Sequence, residues 1–311
     1  ALALRGPERF ARSYQAALEL NTAAAEGAAY AGDLAAMEAL VAEVEREGRS
    51  LLDKVSAREV MIRAYIVKGR GPEALRAGRA HLRELGEALP EKLTPARLLL
   101  ELARSRFALR GREPEQLLEL PPMRDPYKQA AVRACGLLSA YAYIAKPTLT
   151  LPLGRLQVSL AMRYGLSAAT PLGIGGHGAL LCGRLGNIPL GVRFSRLSVQ
   201  MAERPESAPF RCRVWIYSAW FCESWVRPCL ESSDLALKIW TMSLDAGDLE
   251  TAIMAASMRV LYGFWGNRPI AALLGESRGL RQGNRRGIHP YTVSMRRRRA
   301  ASDQHKAGLM L

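Results

Sequence analysis

Apolar residues recur along the chain at intervals of three and four, and Gly, Pro or Asp interrupts every run before it grows long. Residues 50–68 place Leu51, Val55, Ile62, Tyr65 and Ile66 on a face of 3.6-residue period. That spacing predicts a helix closed by Gly69, with Pro72 in the first turn of the next helix, which runs to about residue 89. The same reading predicts helices over 7–30 and through Glu47, with Ala31-Gly32-Asp33 as the turn between them and Asp33 as N-cap. Further helices are expected over 95–109, 127–145, 152–166, 171–185, 189–202, 209–225, 230–246 and 249–265. Ala246-Gly247-Asp248 repeats the first turn, and a short helix from Pro269 to Leu280 closes the ordered part. Pro121-Pro122 forbids regular helix locally. No stretch alternates apolar and polar positions with β-branched residues, so strands are not expected.

A longer period lies over the helical one. The spacing aromatic-x3-Gly-x4-Ala occurs at Tyr65, Gly69 and Ala74 and again at Tyr262, Gly266 and Ala271. Phe107 with Gly111 keeps its first half, and Cys182, Gly186 and Gly191 keep all three positions with smaller residues. The glycine positions imply a repeat of roughly 37 to 42 residues, the length of a helix-turn-helix unit. In such a unit a bulky residue packs near the end of one helix, Gly takes a left-handed turn, and a small residue admits the second helix closely. The expected fold is therefore all-α, a right-handed superhelical solenoid of TPR-like (tetratricopeptide-like) helix pairs over residues 1–280, with φ above zero at both Gly69 and Gly266.

Charge changes this picture only near the end. The net charge is +15, but the basic residues are mostly dispersed, and the Arg- and Ala-rich composition is one that a GC-rich genome produces without any partner. Residues 281–311 differ: Arg285, Arg286, Arg296, Arg297, Arg298, Arg299 and Lys306 stand among Gly and Ser with no helical stripe. They read as a basic, disordered tail that gives weak, salt-sensitive, sequence-independent binding to nucleic acid or anionic lipid. The apolar runs stop well short of the eighteen or so residues of a membrane span, and residues 1–10 lack a signal-peptide core, so a cytoplasmic protein is expected. The start at Ala1 suggests either a processed start or, in preference, a piece of a longer polypeptide.

The chemistry-bearing residues are sparse and scattered. Cys135, Cys182, Cys212, Cys222 and Cys229 form an odd set with no CxxC pair, which reads as buried free thiols. His81, His177, His289 and His305 have no partners at metal-ligand spacing. Ser139, Ser159 and Ser195 lie in helix patterns without a nucleophile elbow. Gly173-Ile174-Gly175-Gly176-His177-Gly178 satisfies GxGxxG formally, yet no strand precedes it and the nearest acidic residue, Glu203, is too distant for a ribose contact. It reads as a loosened helix with close backbone packing. No catalytic, cofactor-binding or metal residue is therefore assigned. Trp215, Tyr217, Trp220, Phe221 and Trp225 form the densest aromatic group, expected to be core packing, with an exposed anchor for a partner as the alternative.

Particular stretches carry a resemblance. Ser50-Leu51-Leu52-Asp53-Lys54-Val55, Ile66-Val67-Lys68-Gly69-Arg70, residues 82–90 and the segment LLELPPMRD from Leu117 to Asp125 stand in an order and spacing similar to one bacterial family. The chain resembles, over residues 17–273, the helical-repeat region of large signalling proteins that join a Ser/Thr kinase domain, an AAA-type ATPase, a GAF domain and a sensor histidine kinase. Residues 169–178 are richer in Pro and Gly than that family, and the tail departs from it. The resemblance implies a non-catalytic module that binds a protein partner or senses a ligand and passes the state to neighbouring kinase and ATPase domains. Its nucleotide-binding, kinase and phosphoacceptor residues have no counterpart here. The alternative is a helical-repeat region of a nucleic-acid-binding transcriptional regulator, which would need basic residues along one groove.

Overall fold

A computed structural model describes residues 9–90, Thr94, Leu100 and residues 113–286. Apart from Leu100, the helix expected over 95–109 lies outside them, as do the pattern residues Phe107 and Gly111, His289, His305 and the arginine run at 296–299. Two compact units divide the chain between His177 and Gly178.

The first unit holds α1 (Arg9–Arg12), α2 (Tyr14–Ala31), α3 (Leu34–Glu47), α4 (Leu51–Val67), α5 (Gly71–Glu84), α6 (Pro126–Ala145) and α7 (Thr150–Tyr164). Helix α8 (Thr170–Gly183) spans the division. The second unit continues with α9 (Ile188–Ala202), α10 (Arg211–Phe221), α11 (Cys229–Asp245), α12 (Leu249–Trp265) and α13 (Ile270–Arg286). Short 3-10 turns join several of them. The described residues are helical apart from turns and one isolated bridge, so the all-α expectation holds. None of the described helices is long and apolar enough to cross a membrane.

In the first unit, Phe10, Leu18, Met37, Val41, Val44 and Val60 bring α1 to α4 onto one apolar core. The start of α4 is fixed by local chemistry. Ser50 accepts from the Asp53 amide at 3.3 Å, and Asp53 accepts from the Ser50 amide at 2.8 Å, a reciprocal box that satisfies two orphan donors. The Asp53 carboxylate also accepts from the Tyr14 hydroxyl at 2.7 Å, which ties α2 to this cap. After α4, Gly69 turns left-handed at φ 72°, and the Arg70 amide returns to the Tyr65 carbonyl at 2.8 Å. Gly71, Ala74 and Gly78 then lie on one face of α5 at spacings of three and four. Two side chains of α6 lie against this face: Tyr141 beside Gly71, and Leu138 beside Gly78, where a Cβ would stand 2.6 Å from it.

The segment LLELPPMRD is not helical throughout. A 3-10 turn covers Pro114–Glu119, and the chain then runs extended, because two consecutive prolines cannot donate to a helix. This extended piece pairs with the loop after α7: the Leu166 amide donates to the Pro121 carbonyl at 2.8 Å, and the Met123 amide donates to the Leu166 carbonyl at 2.7 Å. Asp125 next caps α6, accepting from the Tyr127 amide at 2.8 Å.

In the second unit, Ile216, Ile239, Trp240, Met258 and Tyr262 form the core, and Trp240 is fully buried. The two Ala-Gly-Asp turns match. Asp33 accepts from the Ala36 amide at 2.9 Å and Asp248 from the Thr251 amide at 3.1 Å, each capping the helix that follows. The second aromatic-Gly-Ala copy departs from expectation. Gly266 has φ −83°, and the left-handed residue is Asn267 at φ 66°. Asn is among the few residues with a side chain that tolerate this region, so the turn moves one position along. Ala271, expected at a close approach, is exposed. Helix α13 continues to Arg286, past the end expected at Leu280, so Arg285 and Arg286 fall within a helix rather than in the expected tail. The rest of that tail lies outside the described residues.

Candidate binding cleft

Three helices of the first unit enclose a cleft of about 500 Å³. Helix α3 contributes Glu38, Val41, Ala42 and Glu45, which share a face at i, i+3, i+4 and i+7. Helix α4 contributes Arg58, Met61 and Tyr65, and α5 contributes Ala77, Ala80, His81 and Glu84 at the same helical spacing. The floor is therefore apolar, with Glu45 and Glu84 held by Arg58 at one end and Glu38 at the other.

Arg58 organises one end. Its guanidinium clasps Glu45 through Nε and through Nη2 at 2.8 Å, and Nη1 reaches Glu84 Oε2 at 2.8 Å. This two-point grip on Glu45 uses the planar fork that Lys lacks. The two carboxylates raise the pKa of Arg58, with Glu45 the stronger influence. Arg58 Nη1 also lies 3.5 Å from His81 Nδ1. A guanidinium can only donate, so Nδ1 is the accepting nitrogen and the His81 proton sits on Nε2. That Nε2 is buried with no protein partner. Burial first, and the charge on Arg58 second, depress the His81 pKa to about 4, so the ring is neutral at physiological pH.

Tyr65 and Glu38 form the other end. The Tyr65 hydroxyl donates to Glu38 Oε1 at 2.9 Å, and Arg70 Nη1 donates to the same oxygen at 3.0 Å. The Arg70 guanidinium stands 4.9 Å from the centre of the Tyr65 ring, and its Nε binds Glu73 at 3.0 Å. The side chains of Glu38 and Glu84 remain 40% and 49% exposed, so the cleft presents carboxylate to solvent at both ends.

The residues weighed in the sequence fall elsewhere, His81 excepted. Gly173 to Gly178 lie inside α8, with Gly178 against the backbone of α9, where a Cβ would stand 2.6 Å from the Gly191 carbonyl oxygen. His177 is buried in the same helix, and desolvation holds its pKa down to about 4. Ser139 donates to the Cys135 carbonyl at 2.8 Å, and Ser195 donates to Ser218 Oγ at 2.7 Å within the core. Four of the five cysteines are buried, and Cys229 is half-buried. Among the described residues, no three His, Cys, Asp or Glu side chains gather at metal-binding distance.

The aromatic group divides. Trp215, Tyr217 and Trp220 pack against the core of the second unit, and Phe221 stacks beside Trp220 with ring centres 6.4 Å apart. Trp225 is 55% exposed, its indole N–H donating to the Phe221 carbonyl at 3.1 Å. Of the cleft residues the sequence singled out Tyr65, as part of the turn pattern, and His81, as an isolated histidine, but neither as part of a binding site. The available signal was the seven-residue interval between Glu38 and Glu45 on an otherwise apolar face of α3. Comparison of the chain with protein-family models, curated proteins and solved structures returns no match.

Proposed function

We propose that this chain is a non-catalytic helical-repeat interaction module, and that its first unit binds a protein partner through the α3–α5 cleft. What carries the reading is the cleft's composition: an apolar floor between two carboxylate-bearing ends, on helices joined by short capped turns. Such a cleft accommodates an extended or helical peptide that carries a basic side chain. Its carboxylates supply specificity and its apolar floor supplies contact area. A basic groove of the kind a nucleic-acid reader needs is the opposite of this arrangement. Several arginines outside the cleft are engaged as well: Arg63 with Glu26, Arg133 with Glu59, Arg196 with Glu223 and Arg213 with Glu250.

In this proposal the helix pairs stack as a right-handed solenoid in the cytoplasm, and the module serves the neighbouring kinase and ATPase domains that the sequence resemblance implies. The arginines after residue 281 add salt-sensitive attraction to nucleic acid or anionic lipid. Titration of the chain with short peptides bearing Lys or Arg, against counterparts bearing Glu, tests the cleft directly.

A further inference from the structure

Helix α12 is apolar on the side turned away from its own unit as well as on the side turned to the core. Of its residues only Glu250 and Arg259 are charged. Arg259 is buried between Asp234 and Glu276, and Glu250 is held by Arg213 at 3.2 Å. Thr251, Ala252, Ala255, Met258 and Tyr262 face the core. On the opposite side Leu249, Ile253 and Phe264 are 47%, 54% and 56% exposed. Half-buried Ala256 and Val260 and exposed Ser257 lie between them, at intervals of three and four that make one stripe along the helix. A helix that is apolar all round is one that neighbours cover on all sides.

We propose that this stripe is a two-fold contact with a second copy of the chain, made by antiparallel packing of the two α12 helices. The stripe reads the same in both directions about a midpoint between Ala256 and Ser257. Ile253 and Val260 stand equally far from that midpoint, and so, farther out, do Leu249 and Phe264. An isologous contact needs this symmetry, because a residue that meets a second one on the other copy must be met by it in turn. Antiparallel docking sets Ile253 against Val260 and Leu249 against Phe264, with the small Ala256 and Ser257 at the axis, where the two backbones come closest. The Ser257 hydroxyl donates to the Ile253 carbonyl at 3.0 Å, so its burial strands no donor.

Charge and area fit the same occupant. The stripe has no cation for a nucleic acid or an anionic surface to use. In the antiparallel pair the two Glu250 side chains stand at opposite ends of the contact, about 20 Å apart along the axis and beyond the reach of mutual repulsion in physiological salt. A helix about 25 Å long and about 10 Å across offers about 400 Å² on one face. Two such faces, extended by the exposed Trp265 beside Phe264, approach the roughly 1,000 Å² at the lower end of specific interfaces. That area fits a reversible dimer. The contact lies in the second unit and does not depend on the cleft of the first.

Sedimentation velocity of the full chain, from below micromolar concentration to well above it, tests the inference. A monomer that converts to a dimer as concentration rises is expected. Ile253→Glu, at an exposed position outside the core, should keep its circular dichroism and melting temperature and weaken association by about tenfold or more. Oxidation followed by peptide mapping tests the register. Ser257→Cys, beside the axis, should link to itself across two copies, whereas Leu249→Cys, at the ends, should not. A monomer at every concentration overturns the inference, whether residues 287–311 or another protein then covers the stripe. It is equally overturned by a dimer that Ile253→Glu leaves intact, or by Leu249→Cys linking to itself as readily as Ser257→Cys.

Discussion

Asn267, at φ 66°, takes the left-handed turn position that Gly69 takes at φ 72°. The hydrogen bonds correspond one for one. Arg70 returns to Tyr65 at 2.8 Å and Arg268 to Gly263 at 3.0 Å, while Gly69 bonds Ile66 and Asn267 bonds Phe264, each at 3.1 Å. A β-branched residue is strained in this region by about 1–2 kcal/mol. Gly69→Val and Asn267→Val should each destabilise the chain by that order in thermal melts, and Asn267→Gly should be tolerated. An unchanged melting temperature in Gly69→Val would refute the turn assignment.

The Gly-rich segment of α8 makes a different demand at each position. A Cβ on Gly176 meets nothing within 4 Å, so Gly176→Ala should stabilise the helix by about 0.5–1 kcal/mol. Gly178→Ala should destabilise, because its Cβ would meet the Gly191 backbone. Denaturant midpoints compare the two. A phosphate-binding loop would instead lose affinity for a fluorescent ATP analogue on substitution, and no saturable binding of that analogue is expected at all.

His81 should make stability depend on pH in one direction. Its folded pKa, about 4, is below the ordinary 6.5, so the unfolded chain takes up a proton first on acidification. The contribution of His81 is full above about pH 6.5 and is lost as the pH falls toward 4. Over that window His81→Gln should flatten the stability profile by at most about 1.4 kcal/mol per pH unit. Parallel profiles for the two proteins would show that the ring is not held neutral.

Most of the helices were legible in the sequence, and so were those of their ends that local chemistry determines; ends without such a signal were missed, as where α5 stops at Glu84 rather than near residue 89 and α13 runs past Leu280 to Arg286. Asp33 and Asp248 cap the residues directly after them, Ser50 and Asp53 bond each other, and Pro121-Pro122 exclude helix by covalent structure. The turn at Gly266 was misplaced because the aromatic spacing marked the wrong residue and Asn can do there what Gly does elsewhere. The cleft was not legible. Glu45, Arg58 and Glu84 come from three helices and meet only through packing, and in the sequence each looks like part of an ordinary charged face.

Arg58 should be the residue on which the cleft depends most. Arg58→Met leaves Glu45 and Glu84 facing each other without their shared cation, which should cost about 1–3 kcal/mol. A double-mutant cycle with Glu84→Gln should then show clear coupling. Additive losses would mean that the pair contributes nothing jointly.

The measurement that bears most directly on the central claim is a fluorescence-polarisation titration with labelled Arg- and Lys-bearing peptides, repeated across salt concentration and with the variants Glu38→Gln and Glu84→Gln. Saturable binding that weakens with salt, is absent for the Glu-bearing counterparts and drops in both variants is the result expected of an acidic partner cleft. Equal binding of basic and acidic peptides, or affinity unchanged by the two substitutions, would contradict it.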